Sequence, residues 1–241
     1  MNETTSMNDE EETPILGHFV TYYCTAAFWA LEPKARSVAA RAWFELLQDS
    51  ADRAHLYVTQ GIETSSEVLV WSTADAGDPA KPGVFFKQRA ASENLYRAYF
   101  QPSDVLWGMT RPSQYSRAKS AQEIDPYDDN ARQPYLVMYP FTKTADWYLF
   151  GRETRQGMMN EHIRIGKQYR EIKQLLLYSF GLQDQEFVVT YETDDLEMFS
   201  KLVYDLRDTE ARRYTKEDTP LHTGVLTDIA TWADIVAGVT G

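Results

Sequence analysis

Glu67-Val68-Leu69-Val70-Trp71-Ser72-Thr73-Ala74-Asp75 follows a turn led by Gly61-Ile62, and the second half of the chain repeats the arrangement. There Gly181-Leu182 leads into Glu186-Phe187-Val188-Val189-Thr190-Tyr191-Glu192-Thr193-Asp194-Asp195. In both copies a glycine-led turn precedes an apolar run of strand length. Each run ends in Thr and Asp residues suited to capping a following helix. Self-similarity at half the chain length points to two structural units of one design.

The elements around the two runs repeat as well. In the first half the pattern predicts a strand over Gly17–Cys24 and a helix over Lys34–Asp49, where Val38, Ala39, Ala42, Trp43, Leu46 and Leu47 make one apolar stripe. Strands over His55–Gln60 and Glu67–Asp75, a helix over Ser92–Phe100 and a strand over Val105–Thr110 follow. The second half predicts a strand over Tyr135–Phe141, a helix over Arg152–Tyr169, strands over Ile172–Phe180 and Phe187–Glu192, and a helix over Asp195–Asp208. Leu196, Phe199, Leu202, Val203 and Leu206 are the core stripe of that last helix.

Each half therefore reads β-α-β-β-α-β, the ferredoxin-like unit. Its helices cover one face of the sheet and leave the other bare. Two copies in one chain can cover each other, sheet against sheet, so the expected fold is α+β, a dimeric α+β barrel. The implied division is an acidic, disordered tail (1–13), an N-terminal half (14–112), a connector (113–133) and a C-terminal half (134–241). The connector is rich in turn formers, among them Ser113, Ser116, Ser120, Asp125, Pro126, Asp128, Asp129 and Asn130. Trp232-Ala233-Asp234-Ile235-Val236 fits either a short helix or an oligomer contact.

Composition excludes several classes of function. The 241 residues carry a formal net charge of -12, which argues against binding nucleic acid or an anionic membrane surface. The single cysteine, Cys24, rules out a disulfide framework, and its place in the run Phe19–Cys24 reads as a small core residue. No apolar stretch reaches the length of a membrane span. Met1–Pro14 lacks the basic and hydrophobic regions of a secretory leader, so a cytoplasmic address is expected. There is no glycine-rich phosphate loop, G-x-S-x-G elbow or H-E-x-x-H motif.

What remains is a constellation between residues 132 and 214. His162 has Met158, Met159, Ile165 and Gly166 at helical spacings of three and four, so it shares a face with apolar neighbours. Two readings stay open: a core histidine bonded to backbone, or an axial iron ligand, since neutral imidazole in an apolar shell is a common haem anchor. A ligating imidazole also needs an acceptor to fix its tautomer, and Glu210 or a backbone carbonyl could serve. Tyr139 and Lys143 flank a strand end just ahead of Trp147-Tyr148. Without a cofactor they are a strand edge; beside haem, the phenol can be oxidised and the ammonium can hold a carboxylate. Arg207 and Arg111 could clamp propionates, although surface ion pairs explain arginines equally well. His18, His55 and His222 have no partners at metal-ligand spacing and read as structural or exposed.

As a set, Val137-Met138-Tyr139-Pro140-Phe141, Asp146-Trp147-Tyr148, the His162…Gly166 helix, Phe180-Gly181-Leu182 and Leu206-Arg207…Glu210-Ala211-Arg212-Arg213-Tyr214 resemble the chlorite dismutase superfamily. Within it the resemblance is to the coproheme decarboxylases, the haem b synthases, and it covers Tyr135 to Gly224. It implies a cytoplasmic haem-biosynthesis oxidoreductase that uses hydrogen peroxide to decarboxylate coproheme, an iron porphyrin, to haem b through a tyrosyl radical. His162 would be the proximal iron ligand and Glu210 its hydrogen-bond partner. Tyr139 would be the radical-forming residue, and Lys143 would orient the reacting carboxylate or manage its proton. Trp147, Gln174 and Arg207 would line the cofactor site, with Gln174 where chlorite dismutases carry a distal arginine. The resemblance also implies a ring-shaped homo-oligomer, a homopentamer. The alternatives are chlorite decomposition to chloride and dioxygen, and haem binding or transfer without turnover. Ile163 departs from the family pattern, which has glycine after the histidine, and one residue must be deleted between His162 and Gln174 to align them. The tail after Gly224 is longer than in most decarboxylases.

Overall fold

The computed structural model describes residues 13–115 and 120–239. Residues 1–12 of the expected tail, and Ser116 of the connector, lie outside the described residues. The N-terminal unit comprises β1 (Ile15–Cys24), α1 (Ala26–Trp29), α2 (Pro33–Asp49), β2 (Arg53–Val58), β3 (Val68–Asp75), α3 (Lys81–Leu95) and β4 (Phe100–Met109). After a 3-10 turn at Asp129–Ala131 come β5 (Tyr135–Lys143), α4 (Ala145–Leu149), α5 (Arg152–Gly166), β6 (Lys173–Tyr178), β7 (Phe187–Thr193) and α6 (Leu196–Arg207). A 3-10 helix (Glu210–Tyr214), β8 (Thr215–Glu217), β9 (His222–Thr227) and α7 (Ile229–Ala237) complete the chain.

The strands run β7-β6-β4-β1-β3-β2-β9-β5, and a further β7–β5 pairing closes them into a barrel with β8 hanging on β5. Within it the first unit has the order β4-β1-β3-β2 and the second has β9-β5-β7-β6, the same order by position in each unit. That equality is the two-fold ferredoxin-like α+β architecture expected from the repeat. The seams are β2–β9, with Leu56 opposite Thr227, and β4–β6, with Met109 opposite Tyr178.

Side chains alternate across the barrel wall, as the pleat requires. Phe19, Leu69, Trp71 and Tyr57 from one unit meet Leu136, Met138, Leu175, Leu177 and Val188 from the other in the interior. Gly61 and Gly181 head the two equivalent turns at φ +82° and +70°, a left-handed conformation that glycine adopts without steric cost. The path from Gly61 to Leu69 is one residue longer than that from Gly181 to Val188, yet both side chains face inward. A slip of one residue would turn either strand inside out, so the turn absorbs the difference.

The helices lie outside the barrel, and the two units treat them differently. α2 buries Ala39, Ala40, Trp43, Phe44 and Leu47, and α7 packs across it with Trp232 fully buried against Trp43 and Phe100. α5, the counterpart of α2 in the second unit, has no fully buried residue.

Three expectations need correction or completion. The helix placed at Ser92–Phe100 is α3, running from Lys81 to Leu95, and Phe100 opens β4. Pro82-Gly83 reads as a turn in sequence, but proline is tolerated in the first helical turn, where its missing N–H would have no intrahelical partner. The segment around Trp232 is a helix of the first unit's core. The strands β8 and β9 have no counterpart in the pattern reading, and β9 supplies the fourth strand of the second unit. Cys24 is buried, as expected, and burial pushes its thiol pKa up, which makes it inert.

Candidate functional site

The outer face of β5, β6 and β7 is where the singled-out residues gather. Tyr139, Phe141 and Lys143 alternate outward on β5. Register places Tyr139 beside Val189 and, one strand further, Leu176; Phe141, Phe187 and Tyr178 share the next outward rung. Gln174 stands with Tyr191 and Val137 on the rung to the other side. α6 covers that last rung through Phe199 and Leu202.

The Phe141 rung is a half-open aromatic floor. Phe141 and Phe187 stack with centroids 4.5 Å apart, Phe180 meets Phe187 edge-on at 4.8 Å, and Tyr178 lies 5.4 Å from Phe187. Phe180 and Tyr148 remain 37% and 39% exposed.

His162 projects from α5. Burial first, then the nearby Lys143 ammonium, pull its pKa down to about 4, so the ring is neutral at physiological pH. Its Nδ1 is buried and has no hydrogen-bond partner among the described residues. A neutral imidazole with an orphaned buried nitrogen, set on a helix with no fully buried residue, suits a ring that is to bind something. A core histidine bonded to backbone would have its partner in place.

Lys143 sits at a register shift of β5. Its Nζ donates to the Thr215 hydroxyl at 3.2 Å and the Ala211 carbonyl at 3.3 Å, and lies 4.7 Å from the buried Trp147 ring. Burial and Arg212 lower its pKa to about 8, with Glu186 opposing. Tyr139 is held by a hydrogen bond with Tyr191, and burial raises its phenol pKa well above the usual value. Arg207 pairs with Asp218 at 2.9 Å near Tyr139, and Arg212 shares that carboxylate at 3.4 Å.

The structure thus brings His162, Lys143 and Trp147 together at one end of the outer face, with Tyr139 further along β5 and Arg207 near it at the end of α6. Gln174 is on the outer face too, exposed. Glu210 is not joined to His162: its carboxylate faces Arg213 at 3.2 Å, and its backbone N–H donates to Glu161 at 3.1 Å. Arg111 lies over the Tyr178 ring at 5.5 Å, beside the aromatic floor. Sequence reasoning passed over Arg155, whose half-buried side chain has an unpartnered Nε. The signal was available: Arg155 precedes His162 by seven residues, which is two helical turns on one face. Among the described residues no cluster of three or more His, Cys, Asp and Glu could hold a metal ion. Among them, too, no helix is long and apolar enough to cross a membrane.

Comparison with known proteins bears on this geometry. Residues 36–227 match the family described as Chlorite dismutase. The coproheme decarboxylase of Mycolicibacterium smegmatis is 27% identical over 173 residues, covering 70% of this chain and 71% of that protein. A crystal structure described as a putative chlorite dismutase superposes with a TM-score of 0.76 at 26% identity, over 94% of this chain and 98% of the other. A doubly substituted chlorite dismutase from Candidatus Nitrospira defluvii gives a TM-score of 0.80 at 20% identity, over 92% and 95%, a likeness of fold.

Proposed function

The chain belongs to the chlorite dismutase family, and from that premise we propose that it binds an iron porphyrin on the outer face of β5–β7 and decarboxylates coproheme to haem b with hydrogen peroxide. The observation that carries the reading is His162: neutral, unpartnered at a buried nitrogen, and beside Lys143, whose ammonium lies 5.8 Å from the Phe141 ring of the aromatic floor. The relative described as a coproheme decarboxylase supports the choice of substrate.

A bound iron porphyrin, with peroxide as the oxidant, would supply the oxidising power. His162 would hold the iron, and its depressed pKa keeps the ring's lone pair free of a proton. Phe141, Phe187 and Tyr178 take the porphyrin's apolar face. Tyr139 would give up a hydrogen atom to the peroxide-oxidised group and take one from the propionate. As carbon dioxide leaves, the second electron passes to that group, so each propionate consumes one peroxide, released as water, and becomes a vinyl group. The raised pKa of Tyr139 keeps the phenol protonated until then. Lys143, with a pKa of about 8, binds near His162 as an ammonium that can still release a proton. Arg207 and Arg111 supply cationic contacts for carboxylates at the rim.

Chlorite decomposition is the weaker reading. The three outward residues of β6 are Gln174, Leu176 and Tyr178, none of them cationic. A neutral amide stabilises a bound anion less than a guanidinium does. The deciding experiment adds coproheme and then peroxide, and follows porphyrin mass. Loss of two carboxyl groups is expected. Oxygen evolution from chlorite with an unchanged porphyrin mass would overturn the proposal.

A further inference from the structure

A helix with no fully buried residue needs something other than core packing to fix where its side chains sit. For α5 only Ile165 packs, partly buried, against the outer cluster of Phe199 and Leu202, and polar contacts add to it. Near its start, Gln156 Nε2 donates to the Tyr115 carbonyl at 3.2 Å. Late in the helix, Glu161 accepts the Glu210 N–H at 3.1 Å. Past its last turn one side chain does more than either. The amide of Gln122, in the connector between the two units, donates to the carbonyls of Tyr169 at 2.8 Å and Ile172 at 3.1 Å, and reaches that of Gly166 at 3.4 Å.

Those three carbonyls are spaced three residues apart, and the intervening chain is tightly turned: Tyr169 N–H bonds to Gly166 and Ile172 N–H bonds to Tyr169. The last carbonyls of a helix lack intrahelical partners, and here a single primary amide gathers one of them with two from the following turn. Gln122 is itself held, because its carbonyl accepts from Gln174 N–H at 2.7 Å, while Ile124 N–H donates to the Gln174 carbonyl at 2.9 Å. Ile124 is buried in the barrel interior. A rigid chain of contacts therefore runs from the barrel core through Ile124 and Gln122 to the end of α5, where Gly166 is one helical turn beyond His162.

We propose that Gln122 is a positioning residue that sets the height and rotation of His162 over the outer face of β5–β7. The clamp rests on the contacts above; that His162 meets iron rests on the functional reading. With the clamp gone, α5 keeps its backbone hydrogen bonds but loses the fixed reference at its C-terminal end. The imidazole then samples several positions.

The test uses the full chain with Gln122→Met, which keeps length and removes both N–H donors, and Gln122→Glu, which turns a carboxylate toward three carbonyl oxygens. Hydrogen exchange of residues 158–169 in the apoprotein should rise about tenfold in the first variant and more in the second, with the melting transition little changed. With haem added, the dissociation constant should rise several-fold, and the Soret band and midpoint potential of the bound iron should shift. Unchanged exchange in both variants overturns the clamp. Raised exchange with a wild-type spectrum and potential overturns the positioning role, and collapse of the melting transition makes Gln122 structural and does the same. A wild-type protein that takes up no haem sinks the functional reading and the iron-directed half of this one, while the exchange measurement still decides the clamp.

Discussion

Lys143 on β5 acts on His162 of α5: together with burial, its ammonium holds the imidazole pKa at about 4. Replacing Lys143 with methionine keeps bulk and removes the charge, so the His162 pKa should move up, toward the ordinary 6.5. An NMR titration of the apoprotein reads this directly. A downward or absent shift would mean that the two side chains do not share a field.

His162→Ala should leave the apoprotein folded, because α5 contributes no fully buried residue to the core. A histidine of the packed core would behave differently, costing about 1–3 kcal/mol through the group left unpaired. The expected result is a near wild-type melting curve together with loss of the iron–imidazole absorption signature. A destabilised protein with an unaltered haem spectrum would end the ligand assignment.

Tyr139→Phe removes one hydroxyl and its bond with Tyr191, a loss of about 1 kcal/mol. Haem uptake should persist while the decarboxylated product disappears from the mass spectrum. Wild-type turnover in this variant would transfer the radical role to another aromatic, or abolish it.

His222 of β9 meets Asp104 of β4 at 2.9 Å through Nε2 and Glu63 at 3.1 Å through Nδ1. Burial alone would lower its pKa, but the hydrogen bonds from the two carboxylates outweigh it and raise the value to about 9. The folded state therefore holds a proton that the unfolded chain releases near 6.5. The resulting stabilisation, about 3 kcal/mol, is complete below pH 6.5 and fades as pH rises through 9. The melting temperature should fall by several degrees between pH 7 and pH 10. His222→Gln should be flatter over that window, and an equal slope in both proteins would remove the histidine from the account.

Trp232→Ala should cost about 3–5 kcal/mol in denaturant unfolding, since the ring is fully buried between α7 and α2. Its effect on haem affinity, measured where the variant is folded, should be small, because Trp232 packs in the first unit and His162 lies in the second. Strong loss of haem binding at full foldedness would contradict the independence of the two outer faces.

Much of this architecture was readable in the chain. Apolar runs of strand length behind Gly61 and Gly181 announce equivalent strands, because the turn chemistry and the run length are visible in sequence. The start of α3 was not readable, since Pro82-Gly83 carries a breaker signature that the first helical turn tolerates. β9 was missed because His222-Thr223-Gly224 lacks strand-forming character; Gly224 is there because a Cβ would come within 2.7 Å of Tyr57. The candidate site divides in the same way. Tyr139, Lys143 and His162 stand out by type and spacing, whereas the Glu210–Arg213 pairing and the Gln122 contacts depend on three-dimensional neighbours.

α7 follows every other described element in the chain, yet its tryptophan completes the core of the unit made first. During synthesis the N-terminal unit therefore emerges with Trp43 and Phe100 uncovered and must wait for residues near 232 before that core can close. Closure of the first unit's core is on that account coupled to synthesis of the second unit. The apolar surface displayed during the wait is the part of the molecule most in need of chaperone protection.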